Sequence, residues 1–175
     1  NMLRRARKLN PDAVIGVCGC YAQVSPDEVA KLDVDVVSGT GDRIGFLDNL
    51  ERAAAERQPL CSVDEARARR TFEILPPGGL PTRTRAMLKV EDGCDNFCTY
   101  CIIPFARGPV RSLPLEAALS QARQLAADGY RELVVTGIEI SSWGRDLPGS
   151  PELTDLLEAL CRAVPETRIR LGSLE

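Results

Sequence analysis

Three cysteines, Cys94, Cys98 and Cys101, lie close together in the pattern CxxxCxxC. They follow a predicted strand, so we expect them to lie in a loop. Three thiolates this close can converge on one metal centre. Structural zinc and ordinary iron–sulfur clusters usually take four protein ligands, so a set of three leaves one coordination position open to a substrate or cofactor.

The composition narrows the chemistry further. Histidine is absent from the 175 residues, which excludes Ser–His and Cys–His nucleophile pairs and every zinc site that uses imidazole. The cysteines number seven, which is odd, and no signal peptide is visible, so thiolate metal ligation is favoured over a disulfide framework. The net charge of −3 gives no overall electrostatic case for nucleic acid. No apolar run approaches the roughly 18 residues of a membrane span, and we expect a cytoplasmic protein.

Alternating strands and helices predict an α/β protein with two domains. Residues 1–57 have the strand–helix rhythm of a parallel sheet. Residues 58–85 are rich in proline, glycine and arginine and predict a linker, with a surface hairpin inside one domain as the alternative. Residues 86–175 predict a βαβαβ series with long loops after its first two strands. Loops at the carboxyl ends of parallel strands are where such folds place their chemistry, and the cysteine loop is one of them.

The individual elements are predicted from apolar periodicity and from capping residues. Ser25 and Glu28 have the spacing of a capping box. Cys161 lies on a helix with a leucine stripe, which predicts a buried, inert thiol. The predicted strands cover 13–17, 34–37, 87–91, 132–136 and 168–171, and the predicted helices cover 3–9, 25–32, 44–54, 112–128 and 150–164.

The cysteine spacing, with Tyr100 directly before the last cysteine, resembles the signature of the radical S-adenosylmethionine (SAM) enzymes. The resemblance implies that Cys94, Cys98 and Cys101 hold a 4Fe–4S cluster whose open iron chelates the amino and carboxylate groups of SAM. It also implies that Tyr100 packs against the adenine of SAM. The alternatives are a zinc site or thiols without a metal in a loop.

The stretches Val90–Cys94 and Tyr100–Ser112 resemble the methylthiotransferase family. Gly19–Gln23 is similar to the part of that family that carries the third cysteine of a second 4Fe–4S cluster, which assigns Cys20 to that cluster. Cys18 departs from the motif and is predicted to be an ordinary strand thiol. By this resemblance the chain is a fragment, covering the end of an N-terminal α/β cluster domain and the first half of a radical-SAM partial barrel.

Cys101–Pro109 and Thr136–Ile140 are most similar to the branch that modifies threonylcarbamoyladenosine next to the tRNA anticodon. Sister branches act on isopentenyladenosine in tRNA or on an aspartate of a ribosomal protein. The implied cofactors are SAM and a 4Fe–4S cluster, with two clusters in the full-length protein. The implied partners are tRNA and a reducing electron donor. The cofactor performs the difficult step, so no side chain is assigned as catalytic.

Two alternatives to this activity stay open. The first is a non-enzymatic module whose cysteines bind zinc and whose basic linker binds RNA. The second concerns the chain by itself, because half a barrel is expected to lack activity. The metal content of the protein separates the zinc module from the iron–sulfur enzyme.

Further residues have two interpretations each. Gly137 and Glu139 follow the second barrel strand, where the superfamily contacts the SAM amino group; the alternatives are a tight turn and a solvated carboxylate. Arg107 and Arg111 flank the cysteine loop and would either bind tRNA phosphates or support the loop. Trp143 would stack on a base or, as we expect, cap the core.

The remaining candidates are less specific. The arginines of the linker would steer RNA or, as we expect, be solvated. Ser173 and Glu175 end the third strand and would edge the SAM pocket. Cys61 has no partner motif and is given no role.

Overall fold

The computed structural model describes residues 2–78 and 83–174, which form two compact units. The first unit comprises the residues up to Arg69 together with Phe97–Gly108. The second comprises Arg70–Asn96 together with the residues from Pro109 onward. Each unit contains helices and a three-stranded sheet whose strands are all parallel, which confirms the predicted α/β class.

The first unit is built around a sheet with the strand order β1-β2-β3. Val17 of β1 pairs with Val37 of β2, which pairs with Cys61 of β3. Its elements are α1 (Met2–Leu9), β1 (Gly16–Cys18), α2 (Cys20–Val24), α3 (Pro26–Ala30), β2 (Val36–Ser38), α4 (Arg43–Glu56), β3 (Leu60–Ser62), a 3₁₀ turn (Ala66–Ala68) and α5 (Ile103–Arg107). A hydrophobic cluster in this unit comprises the buried side chains of Ile15, Ala22, Val29, Val34 and Val37.

Part of the segment predicted as a linker belongs to this sheet. Leu60–Ser62 pairs in parallel with β2, and the backbone amide of Leu60 donates to the carbonyl oxygen of Asp35 at 2.8 Å. Three residues are too few to show the alternation of polar and apolar side chains that identifies a strand. The domain boundaries drawn from the sequence stay a prediction.

The second unit contains a sheet with the order β4-β7-β8 and a two-stranded antiparallel pair of β5 and β6. Leu88 of β4 pairs with Val135 of β7, which pairs with Leu171 of β8. Its elements are β4 (Arg85–Lys89), β5 (Glu91–Asp92), β6 (Arg111–Ser112), α6 (Leu115–Ala127), β7 (Glu132–Thr136), a 3₁₀ turn (Ile140–Ser142), α7 (Leu153–Ala163) and β8 (Arg168–Leu171).

One face of this second sheet carries the core. Along β4, Ala86 and Leu88 are buried, whereas Arg85 and Met87 are exposed, because successive side chains of a strand point to opposite faces. The apolar sides of α6 and α7 join the same hydrophobic cluster as the buried side chains of β4. On the opposite face of β4, Arg85 and Met87 are exposed and Lys89 is half-buried.

Two details of the helices differ from the sequence prediction. Cys161 is exposed, so the prediction of a buried thiol is wrong. Cys161 directly follows the buried Leu160, and successive side chains of a helix are about 100° apart around its axis. The Cys161 side chain therefore lies outside the buried stripe. The capping box at Ser25 is also wrong, since the Ser25 side chain makes no capping hydrogen bond. Ser25 ends α2, a helix that the sequence did not predict, and its amide donates to the carbonyl of Tyr21.

Helix α7 begins with the capping box that α3 lacks. Asp155 accepts a hydrogen bond from the backbone amide of Glu152 at 2.8 Å, and the Glu152 side chain accepts one in return. Among residues 2–78 and 83–174, no helix combines the length and apolar character that crossing a bilayer would need.

Candidate functional site

The cysteine segment is irregular in structure. Residues 93–98 form neither helix nor strand; Cys94 and Cys101 are half-buried, and Cys98 is exposed. The amide of Cys101 donates to the carbonyl of Cys98 at 2.9 Å. Cys98 and Cys101 belong to the first unit and Cys94 to the second. In the part of the chain that is described, no group of three or more cysteine or carboxylate side chains is arranged to hold a metal ion.

The donor set nevertheless suits an iron–sulfur cluster. No disulfide occupies any of the seven cysteines, all of which lie within the described residues. Three thiols within eight residues provide the soft ligands that iron–sulfur clusters require. Since residues 93–98 lack helix or strand hydrogen bonds, a bound cluster would gather the thiols by changing loop dihedral angles, without breaking a regular element.

Helix α5, directly after Cys101, is fixed within the first unit. Its Ala106 is fully buried, and the carbonyl oxygen of Ala106 accepts a 2.6 Å hydrogen bond from the hydroxyl of Thr40. The helix packs against α2, which begins at Cys20. The structure therefore brings the segment of Cys98 and Cys101 and the helix of Cys20 into one unit.

Arg69 ties together the residues around Thr40. Its guanidinium donates to the Thr40 hydroxyl at 2.7 Å, to Oε1 of Gln23 at 2.8 Å and to Oδ2 of Asp64 at 2.7 Å. Only 12% of the Arg69 side chain is exposed. The prediction that the linker arginines are solvated is therefore wrong for Arg69, because its charge is paired inside the first unit.

Gln23 also bonds across this network. Its Nε2 donates to the carbonyl of Asp64 at 2.6 Å, and its Oε1 accepts from the amide of Thr40 at 2.9 Å. A Cβ atom at Gly41 would approach the Arg69 guanidinium to 2.9 Å. In the sequence, this close packing is indicated only by the two glycines that flank Thr40, Gly39 and Gly41.

Cys20 is half-buried at the start of α2, after Gly19 with a φ of 117°. The two residues before it, Cys18 and Gly19, line a cavity of about 80 Å³ whose lining also includes Arg43 and Arg107. Two arginines thus border the corner where the sequence predicts a second cluster. Cys18 is exposed at the end of β1, which fits the predicted strand thiol.

Gly137 and Glu139 lie in the turn directly after β7, and Glu91 holds this turn. Oε2 of Glu91 accepts hydrogen bonds from the backbone amides of Ile138 at 2.8 Å and Glu139 at 2.9 Å. A Cβ atom at Gly137 would lie 2.6 Å from the same Oε2 and 2.9 Å from the Glu91 carbonyl oxygen. Gly137 therefore allows the close approach of Glu91, which is a different reason from the tight turn that the sequence suggested.

The side chain of Glu139 is turned into the protein and caps the following 3₁₀ turn. Its carboxylate accepts from the amide and hydroxyl of Ser141 and, at 2.7 Å, from the hydroxyl of Ser142. Burial alone would raise the pKa of Glu139, but these hydrogen bonds outweigh it and the pKa is lowered. Only 6% of the residue is exposed, so the interpretation as a solvated carboxylate is wrong.

Glu91 was missed from the sequence. It is fully buried, and its Oε1 has no hydrogen-bond partner among the described residues. Burial, followed by the nearby carboxylates of Asp92 and Glu139, raises the pKa of Glu91 to about 7, against the two amide hydrogen bonds that lower it. Glu91 stands three residues before Cys94, and only its position next to the cysteine motif could have drawn attention to it.

Arg111 supports the loop, as one of its two interpretations proposed. Its side chain is 5% exposed, with Nη1 donating to the Pro109 carbonyl at 2.7 Å and Nη2 lying 3.6 Å from Asp92. Lys89 pairs with the same carboxylate at 2.6 Å. Arg107 ends α5 and is half-buried.

Trp143 is part of the core. It is 1% exposed, and its indole nitrogen donates to the Leu113 carbonyl at 2.9 Å, which confirms the predicted core position. Tyr100 is 89% exposed in the cysteine segment. The carbonyl of Ser173 accepts from the amide of Ile140 at 3.2 Å, and Glu175 lies outside the described residues.

The sequence of the chain is similar to known proteins, and these similarities identify its family. Residues 88–173 match the model of the radical SAM superfamily. The chain is 43% identical to the threonylcarbamoyladenosine tRNA methylthiotransferase MtaB of Bacillus subtilis, over 99% of the chain and 39% of that relative.

Two further relatives carry other names. The tRNA-2-methylthio-N(6)-dimethylallyladenosine synthase of Carboxydothermus hydrogenoformans is 37% identical over 89% of the chain and 36% of its own length. The ribosomal protein uS12 methylthiotransferase RimO of Geobacter sulfurreducens is 36% identical over 82% of the chain and 32% of its own length. The chain thus spans less than half of each relative. The matched segment contains all three motif cysteines and the turn after β7, and the chain belongs to the radical SAM methylthiotransferase family.

Proposed function

We propose that the protein to which this chain belongs is a tRNA methylthiotransferase that acts on threonylcarbamoyladenosine next to the anticodon. The observation that carries this proposal is the 43% identity to a relative of that name along nearly the whole chain. The CxxxCxxC motif inside the segment that matches the radical SAM superfamily supports it.

In this proposal Cys94, Cys98 and Cys101 hold a 4Fe–4S cluster and leave one iron for SAM. When bound and reduced, the cluster supplies the electron that cleaves SAM to the radical that activates an unreactive C–H bond. The exposure of Cys98 and the irregular loop around it leave the thiols accessible to an assembling cluster. The side chains keep the reactants in line and exclude water, and none needs to act as an acid or base.

The SAM site is proposed to lie at Tyr100 and at the turn of Gly137 and Glu139. Tyr100 offers an exposed ring on which an adenine can pack. Glu139 has committed its carboxylate to Ser141 and Ser142, so we assign the contact with the SAM amino group to the backbone of the turn. The two hydrogen bonds from the turn to Glu91 fix that backbone in place.

Cys20 is proposed to be one ligand of a second 4Fe–4S cluster in the full-length protein, within the N-terminal cluster domain. Its helix α2 packs against α5, which follows the motif cysteines. The two arginines that border the adjacent cavity would offset the negative charge of cluster thiolates. A cluster at this position would supply the sulfur that is transferred.

The proposed partners are tRNA and a reducing electron donor, and action on tRNA implies a cytoplasmic protein. The relatives named for dimethylallyladenosine and for the ribosomal protein uS12 define the competing substrates. The branch is chosen because four relatives named for threonylcarbamoyladenosine are 33–43% identical over 97–99% of the chain.

Mass analysis of tRNA nucleosides tests the function. A strain without the full-length protein should lose the methylthio derivative of threonylcarbamoyladenosine and retain the unmodified nucleoside. The wild-type gene should restore the derivative, whereas a gene with Cys98→Ala should not. Loss of the dimethylallyladenosine derivative, or of the modification on the ribosomal protein, would move the protein to a sister branch, and no change in any of them would overturn the proposal.

A further inference from the structure

We propose that Glu91 is a positioning residue for SAM, which holds the backbone turn of Gly137, Ile138 and Glu139 in its binding conformation. The inference rests on the proposed function, because it assumes that this turn contacts the cofactor. It adds a residue that lies outside the cysteine motif and outside the turn itself.

The geometry joins two separate parts of the second unit. Glu91 is in β5, three residues before Cys94, and the turn follows β7. One carboxyl oxygen, Oε2, accepts from two successive backbone amides at 2.8 and 2.9 Å, those of Ile138 and Glu139. Two donors on one acceptor fix the orientation of both peptide planes, which a single hydrogen bond would not do.

The packing leaves this arrangement little freedom. Glu91 is fully buried, and the turn approaches it so closely that a Cβ atom at Gly137 would overlap Oε2. Val90 strengthens the connection from the neighbouring position, since its amide donates to the carbonyl of Thr136 at 2.9 Å. The turn is therefore held from Glu91 through the side chain and from Val90 through the backbone.

Stability alone does not explain a glutamate at position 91, because its second carboxyl oxygen costs stability. Oε1 is buried without a hydrogen-bond partner among the described residues, and an unpartnered buried polar atom destabilises the fold. Because Oε1 is sealed from solvent, a ligand does not reach it, so Glu91 acts on SAM through the turn. A glutamine can accept the same two amide hydrogen bonds, and an alanine cannot.

The test uses the full-length protein with reconstituted iron–sulfur clusters. We would measure the dissociation constant of SAM by equilibrium dialysis and the hydrogen exchange of the peptide covering 137–143 by mass spectrometry. Glu91→Ala should weaken SAM binding about tenfold, because two donors of the turn lose their acceptor. The same variant should speed exchange in that peptide. Glu91→Gln should restore both to within about twofold of wild type.

Glu132→Ala and Glu132→Gln serve as matched controls, since Glu132 is a carboxylate at the opposite end of β7 and pairs with Arg85. Both should leave SAM binding unchanged. If Glu91→Ala does not fold, Glu91→Gln decides, because SAM affinity reduced tenfold by that variant would overturn the inference.

The inference also fails if Glu91→Ala folds and exchange or SAM affinity stays at the wild-type level. Failure of the proposed function looks different. A sister-branch substrate would leave SAM binding and its dependence on Glu91 unchanged, whereas a protein without SAM chemistry would not bind SAM even as wild type, and the exchange measurement would still report whether Glu91 holds the turn.

Discussion

The hydroxyl of Thr40 donates a 2.6 Å hydrogen bond to the carbonyl of Ala106, 66 residues further along the chain. The same hydroxyl accepts from Arg69 at 2.7 Å. One small side chain therefore connects the loop after β2, the charged residue that follows the 3₁₀ turn, and the helix after the motif cysteines. Loss of the hydroxyl would leave a buried carbonyl and a guanidinium nitrogen each short of one partner.

We predict that Thr40→Val lowers the free energy of unfolding by about 1–3 kcal/mol, the cost of leaving buried polar groups without partners. Valine has nearly the same shape, so the packing is conserved and the hydroxyl alone is tested. Urea unfolding measures the change. Thr40→Ser is the control and should keep most of the stability, and a loss in Thr40→Ser with none in Thr40→Val would show that the methyl group matters instead of the hydroxyl.

Glu91 gives a pH dependence with a defined sign. The folded protein raises the pKa of Glu91 from 4.5 to about 7, so between these values the folded state binds more protons than the unfolded state. The stability that Glu91 contributes is therefore full below pH 4.5 and declines as the pH rises to about 7.

Glu91→Gln removes this titration, so its stability relative to wild type should increase with pH. The rise in the pKa of Glu91 from 4.5 to about 7 corresponds to about 3 kcal/mol of relative stability between pH 4.5 and 7.5. Urea unfolding of both proteins at these two pH values measures it. A stability difference that is independent of pH would show that the carboxyl group keeps an ordinary pKa.

Trp143 gives a test of the core beneath the turn. Trp143→Phe removes the indole nitrogen that donates to the Leu113 carbonyl at 2.9 Å and also leaves unfilled volume. We expect a loss of about 2–4 kcal/mol in the free energy of unfolding, from one buried hydrogen bond and a small cavity. Thermal unfolding measures it. A variant as stable as wild type would mean that the core closes around the smaller ring.

The motif cysteines should control the iron content. Full-length protein, reconstituted without oxygen, should bind about eight irons in two 4Fe–4S clusters, and Cys94→Ala should bind about four. The iron content per chain and the visible charge-transfer absorption of the clusters are the two measurements. Cys161→Ala is the control, because Cys161 is exposed on α7, far along the chain from the motif. One equivalent of zinc without visible absorption would favour the zinc module.

Much of the fold could be predicted because the periodic elements are long enough to show a pattern. β7 and β8 occupy the predicted residues 132–136 and 168–171, and α4, with its apolar spacing, differs from its prediction by two residues at most. The short elements were not predicted. Helices α2 and α5 have five residues each, and β5 and β6 have two, which is too short to show a periodic pattern in the sequence. Tertiary packing stabilises elements of this length.

The candidate site divides in the same way. Motif spacing identified Cys94, Cys98 and Cys101, because metal ligands are restricted in residue type and in separation. Nothing local in the sequence pairs Glu91 with Ile138 or Arg69 with Thr40, since each pair is joined only by the fold. For that reason the sequence predicts a solvated linker residue at Arg69, whereas the fold pairs its charge.

Gly137 has a consequence for how this region tolerates change. An added methyl group there would meet both the side chain of Glu91 and its carbonyl oxygen. Shortening the side chain would remove only the first obstacle, so no compensating replacement at position 91 would make room for alanine. In a saturation library of the full-length protein, glycine should be the sole tolerated residue at position 137, while position 91 should accept glutamine.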